Sequence, residues 1–312
     1  GAPSVGDAAI QPDGAVEPGD AAPPVGEDVD WEPQVPDAIA ADIPGAPTNR
    51  APDCAAEWVS TVRGWVVAPG GAPLAGAKAQ VCVRISPGDR LLCLRPGTTG
   101  EDGVFTVDLP EEARCITHAA LRVLLPGTGK ATMYCSVSVD AAPPVLRLPE
   151  PFVMFQTRPA LDLPPEGDPE MERPIRFDDG LVVDLLPRLF YSGGGSYDEL
   201  AGRRVPANAR GLCFLGDGPA PEGLYAFYPE GTVDPPGASV HVPNTTGLPA
   251  GASVDLFVLG GLDCVDPDGE ALPEASWTVF GTGTVSADGA VIDSDPGVGL
   301  PCLTWMGYRL AQ

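Results

Sequence analysis

Histidine, basic charge and long apolar runs are all scarce in this chain. Its 312 residues hold two histidines, His118 and His241, and 18 Lys and Arg against 43 Asp and Glu. A serine hydrolase needs a histidine-like base, and each histidine sits in a strand-like run, where a satisfied surface or half-buried role fits better than a triad. Zinc is disfavoured too, because the cysteines show no CxxC spacing. The net charge of −25 repels nucleic acid and anionic lipid, so neither is expected as a partner. No run approaches the ~20 apolar residues of a membrane span, and no spanning segment is expected. The chain opens at Gly1 without Met or signal peptide, which suggests a processed form.

Glycine and proline are plentiful: 39 and 38 residues, about a quarter of the chain. That favours many short strands and turns over long helices, and the length accommodates two domains. The clearest stretch runs from Val62 to Pro110. Val81 and Val83 alternate with Gln80, Cys82 and Arg84, and Phe105 and Val107 alternate with Thr106 and Asp108. Period-two alternation separated by Gly, Pro and Asp turns is the pattern of antiparallel strands in a sandwich. Asp102-Gly103 suits a tight turn that needs positive φ.

Gly64 and Val66, then Gly71, Pro73, Leu74, Gly76, Ala77, Val81 and Val83, then Thr99, Asp102, Gly103, Phe105 and Leu109 together resemble the carboxypeptidase regulatory-like domain. The resemblance covers about residues 58–157 and implies a prealbumin-like β-sandwich, generally non-catalytic, acting as a scaffold or adhesion unit. Further strand runs at 116–125, 131–139, 145–148 and 152–155 complete it. A Pro-rich acidic stretch, 158–174, reads as a linker. Seven more strand-like runs follow over 175–312, so a second β-sandwich is expected. The fold class expected is therefore all-β, with two antiparallel sandwiches in tandem.

Residues 1–53 carry ten Pro, eleven Asp and Glu, and Arg50 as the one basic residue. Such a composition cannot bury enough apolar surface to build a core, so a spacer tail is expected. Its apolar positions Trp31, Ile39 and Ile43 are the candidates for docking on a neighbouring surface. The segment resembles the spacer behind the lipid-anchored Cys of bacterial surface lipoproteins, which implies a secreted or cell-surface protein.

The chemical candidates are few. Pro126-Gly127-Thr128-Gly129-Lys130-Ala131 lacks the first Gly of a phosphate loop and has Ala131 where Ser or Thr is needed. Ser192-Gly193-Gly194-Gly195-Ser196 resembles a nucleophile elbow, yet Asp198 stands where Gly should close it. Asp263, Asp266, Asp268 and Glu270 crowd four carboxylates into one turn, the density Ca²⁺ uses, with Asp288, Asp293 and Asp295 in a second acidic loop. The EF-hand register fails, and ordinary Asp/Pro/Gly turns explain both loops. Asn244-Thr245-Thr246 is a glycosylation sequon if the source is a eukaryote. No organic cofactor is indicated, and structural Ca²⁺ is the metal alternative.

Eight cysteines, Cys54, Cys82, Cys93, Cys115, Cys135, Cys213, Cys264 and Cys302, form an even set that suits disulfides in an oxidising compartment. Cys82 with Cys93 flanks the short turn at 86–90, and Cys115 with Cys135 flanks a hairpin loop. Five cysteines precede the expected linker and three follow it, so complete pairing demands a bridge across it, with Cys54 to Cys213 as the guess. The function expected is a non-catalytic extracytoplasmic structural or adhesion protein engaging other surface proteins or copies of itself. The alternatives are a carbohydrate- or protein-binding module, stacking ligands on Trp277, Trp305, Tyr225 or Tyr228, and a hydrolase accessory protein.

Overall fold

The computed structural model describes residues 28–86, 91–177, 179–216 and 218–311. The first half of the expected spacer, and positions 87–90 of the turn expected between Cys82 and Cys93, lie outside them. Strands of three residues or more are numbered in chain order. The alternating runs of the first half become β1 (Thr61–Val67), β2 (Lys78–Arg84), β3 (Val104–Asp108), β4 (His118–Leu124), β5 (Met133–Val137) and β6 (Val145–Arg147). Ala79, Val81 and Val83 of β2 are fully buried, as are Leu121 and Val123 of β4, so these strands turn their apolar faces inward.

Two sheets result. In one, β1 pairs antiparallel with β3, Gly64 standing opposite Phe105. Its other edge receives β6 and then Phe152–Val153, both parallel to β1. These last runs cross over from the other sheet instead of turning back in a hairpin, which leaves them parallel. In the second sheet β2 pairs with β4, β4 with β5, and the short strands Leu92–Cys93 and Gly97–Thr98 line the remaining edge of β2. Gly103 adopts φ +74°, and a Cβ there would lie 2.5 Å from the Val66 carbonyl oxygen. Only glycine fits that turn.

The second half forms one rolled sheet. Its strands are β7 (Arg173–Arg176), β8 (Val182–Leu185), β9 (Phe190–Ser192), β10 (Ala201–Arg204), β11 (Gly223–Val233), β12 (Ser239–Pro243), β13 (Ser253–Leu259), β14 (Trp277–Val285), β15 (Val291–Ser294) and β16 (Cys302–Leu310). From Arg158–Pro159 the order runs β10, β11, β16, β13, β14, β15, β12, β8, β7, all antiparallel, with β9 also on β11. Leu161, just past the first of these strands, donates its N–H to the Arg176 carbonyl of β7 at 2.7 Å. The sheet thus meets its own beginning. The stretch of linker composition joins this sheet at once, and Tyr197 donates to the Pro164 carbonyl at 3.0 Å.

The two halves share apolar contact. Along β11, Leu224 and Ala226 belong to the core of the first half, while Tyr225 and Phe227 fill the rolled sheet. On β16 Trp305 points one way and Met306 the other. Both faces of these strands are covered, so they read as near-continuous apolar runs. Trp305 meets Phe155 edge-on at 5.5 Å and donates Nε1–H to the Thr132 carbonyl at 2.8 Å.

From Asp28 to residue 53 the chain lies as a strap across the first half. Ile39, in the single-turn helix α1 (Asp37–Ala40), is 5% exposed. The strap's carbonyls need donors, and side chains of the sandwich supply them. Arg63 donates to the Ala38 and Ala41 carbonyls, Arg147 to that of Ile39, and Ser60 to that of Pro47. At its start, buried Asp28 pairs with buried Arg203, and Glu32 pairs with Arg210 at 2.5 Å.

Candidate functional site

The concavity with the most chemistry lies where the halves meet. The turn Cys213–Leu215 is stitched through the Cys213–Cys135 disulfide to β5, the outer strand of its sheet. That places Phe214 against Trp277 at 5.3 Å and Trp305 at 5.1 Å. Beside this turn opens a cleft of about 450 Å³, lined by Phe214, Phe257, Trp277, Arg309, Ser136 and Ser276 among others. Trp277 begins β14 opposite Leu259 and stacks on Phe257 at 5.7 Å with rings 5° from parallel. Gly307 of β16 makes room for it, since a Cβ there would sit 2.9 Å from the indole Cζ2. Arg309 lies over the Phe257 ring at 5.1 Å. Smaller hollows of about 280 and 350 Å³ adjoin Cys213, one walled by Leu146, Leu148 and Phe152, the other by Trp31 and Arg210.

A buried charge cluster spans the same junction. Arg122 of β4 donates Nε–H and Nη2–H to Glu230 Oε2 at 3.1 and 2.8 Å. Tyr134 of β5 donates its hydroxyl to Glu230 Oε1 and accepts the Leu262 N–H at 3.1 Å. All three residues are under 10% exposed. Burial, then the Glu230 charge, pushes the Tyr134 hydroxyl well above the usual tyrosine range, so it stays a donor. Nearby, burial and the charge of Asp263 raise Glu274.

The structure disperses the acidic candidates into local turns. Asp266 Oδ1 accepts the N–H groups of Asp268 and Glu270, both at 2.9 Å, closing a turn in which Asp263 has φ +59°. Asp288 accepts from the Ser286 hydroxyl and the Ala290 N–H, and Asp295 from Thr282 and Thr284. Among the described residues, Cys82, Cys93 and Glu274 are the one group of three His, Cys, Asp or Glu donor atoms within 4.8 Å of one another. Both sulfurs there are disulfide-bonded. Ser192 Oγ accepts from Gly195 N–H at 2.9 Å, holding its own glycine loop. Asn244 is engaged as well, with Leu248 and Gly289. In the loop 126–131, Gly127 donates to the Tyr228 hydroxyl at 3.0 Å. Of the proposed stacking aromatics, Trp305 and Tyr225 are fully buried and Tyr228 nearly so; Trp277 borders the cleft.

His241 sits between two carboxylates, Nδ1 with Asp293 at 2.6 Å and Nε2 with Asp184 at 2.9 Å. Burial lowers its pKa, but the hydrogen bonds to Asp293 and Asp184 outweigh that and raise it. His118 moves down, through burial and the charge of Arg84. Arg309, Phe257 and the Arg122–Glu230 pair escaped the sequence reading, as did the Asp184–His241–Asp293 bridge. A charged or polar residue inside an otherwise apolar strand was the available signal for each ionic member.

All eight cysteines pair: Cys54 with Cys115, Cys82 with Cys93, Cys135 with Cys213, Cys264 with Cys302. The bridge demanded across positions 158–174 exists, but its members are Cys135 and Cys213 in place of Cys54 and Cys213. The expected Cys115–Cys135 pair fails on register, because the β4–β5 ladder sets Cys135 opposite Leu121. Cys115 pairs instead beside Trp58, close to Cys54. Among the described residues no helix is long and apolar enough to cross a membrane. No protein-family model matches this chain, and no curated protein matches it.

Proposed function

We propose that this chain is a non-catalytic extracytoplasmic protein of structural or adhesive kind, joining a carboxypeptidase regulatory-like sandwich at 58–157 to a second β unit. Its N-terminal segment serves as the acidic, lipoprotein-like approach to the surface, and its partners are other surface proteins or copies of itself. The observation that carries this reading is the reinforcement of one junction. Shared apolar core, a buried ion pair and a disulfide all cross it, an arrangement that holds a shape. Four disulfides fit an oxidising compartment. Fractionating source cells with thiol-trapping reagents tests this. We expect an extracytoplasmic fraction with all eight cysteines protected; a cytoplasmic pool with free thiols would overturn it.

The cleft at Trp277 favours a second reading, a carbohydrate-binding module, because aromatic walls with hydroxyl groups suit the two faces of a sugar. A glycan array read with and without chelator tests that reading and any Ca²⁺ dependence through the 263–270 turn. Binding lost on chelation would tie the turn to the ligand.

A further inference from the structure

We propose that the junction cleft selects an acidic sugar, with Arg309 as the receptor for its carboxylate. The proposal rests on the carbohydrate-binding reading and names the ligand class within it. Arg309 is the one charged side chain among the described residues that line the cleft. In a chain with 43 acidic and 18 basic residues, it nonetheless makes no ion pair or side-chain hydrogen bond with any described residue. Its cross-strand neighbour is Asp255, yet the guanidinium lies over Phe257. Glu222, beside it in the fold, accepts the Leu310 N–H at 3.1 Å. The Arg309 Nε–H is shielded from solvent and has no acceptor.

The two Nη groups are not shielded and have no acceptor among the described residues, so they are the donors a ligand in the cleft can meet. A planar guanidinium with free donors matches a carboxylate two bonds at a time. The remaining walls define what carries the carboxylate. Trp277, backed by buried Phe214 and Phe257, offers part-exposed apolar surface, and Ser136 and Ser276 also line the cleft with no side-chain hydrogen bond to any described residue. A sugar ring has C–H faces for the first and hydroxyls for the second. A volume of about 450 Å³ lies in the range of small-ligand sites. The net charge of −25 works against polyanions such as nucleic acid, whereas a single carboxylate set against one arginine is tolerated. The ligand class is a uronate-bearing saccharide.

Calorimetric titration of the oxidised full chain tests this with three probes: a glucuronate-containing disaccharide, its neutral glucose counterpart, and a short glutamate-containing peptide. We expect saturable binding of the uronate, at least tenfold tighter than the neutral sugar and weakened by salt. Arg309→Gln should remove that advantage without moving the melting temperature, while Arg309→Lys keeps part of it. Ser276→Leu, which narrows the cleft, should weaken both sugars. Equal affinity for the two sugars, with Arg309→Gln silent, would refute the acid assignment and leave the sugar cleft standing. Failure of both sugars to bind would remove both readings. Tighter binding of the peptide would reassign the cleft to an acidic protein partner.

Discussion

At the scale of single residues, the pair Arg122 and Glu230 shows what holds the junction. Each is buried, and each satisfies the other together with Tyr134. A buried pair is weak evidence for net stabilisation, but breaking one strands a charge in a low-dielectric setting. Arg122→Met alone should therefore cost about 3–5 kcal/mol, whereas Arg122→Met combined with Glu230→Leu should cost clearly less than the sum of the two single changes. Urea midpoints at constant slope measure both. If the double variant were the sum of the singles, the two side chains would not be coupled.

His241 gives a pH prediction. Its raised folded pKa means the folded state binds the proton more tightly than the unfolded chain. The contribution is full below the ordinary histidine value of ~6.5 and is lost as pH rises through the folded pKa. Thermal melts between pH 5 and 9 should show this decline on the alkaline side, and His241→Gln should flatten it. The side chain is 38% exposed, so solvent screening keeps the effect small. An unchanged profile in His241→Gln would show that the two aspartates do not hold the imidazolium.

At the scale of elements, the strap is the part whose role changes the arithmetic of the fold. A segment that resembles a spacer in composition is anchored from Asp28 onward by Ile39 and by arginines reaching to its carbonyls. Ile39→Ala should lower stability by about 2–4 kcal/mol, as a buried large-to-small change. Deleting residues 1–53 should lower the melting temperature, since it also strips Asp28 from buried Arg203. A melting temperature left unmoved by the deletion would return the strap to the role of spacer.

Legibility follows the same scale. Strand faces were readable because alternation is local: Val81, Val83, Phe105 and Val107 all face inward as their spacing demands. The Asp102-Gly103 turn was readable for the same reason. Pairing was not, because it joins distant segments. Nothing near Val145 announces that it will lie parallel to Thr61, and nothing near Leu161 announces closure onto Arg176. The disulfides divide likewise. Cys82 and Cys93 stand 11 residues apart, within reach of one turn, whereas Cys54–Cys115 and Cys135–Cys213 depend on the assembled sheets. The cleft was the least legible element. Its residues come from β5, the 213–221 segment, β13, β14 with the two residues before it, and β16, and of the aromatics that line it only Trp277 stands out in the sequence.

At the scale of the whole molecule, the packing predicts cooperation. Trp305 and Phe214 of the second half sit in the core of the first, so neither half can unfold without exposing the other. Calorimetry should show one transition, with van't Hoff and calorimetric enthalpies close to each other. Two resolved transitions would mean the halves are separable domains that merely touch.

The pattern of bridges also sets how the molecule yields to tension. Cys54–Cys115, Cys135–Cys213 and Cys264–Cys302 follow one another without interlocking, at separations of 61, 78 and 38 residues. A pull on the two ends can lengthen only the chain lying outside these loops. The loop closed by Cys135–Cys213 contains the whole passage between the halves, so pulled apart they stay tethered, one short covalent link away. Extension in a force experiment should be short under oxidising conditions and should lengthen sharply once a reductant is added.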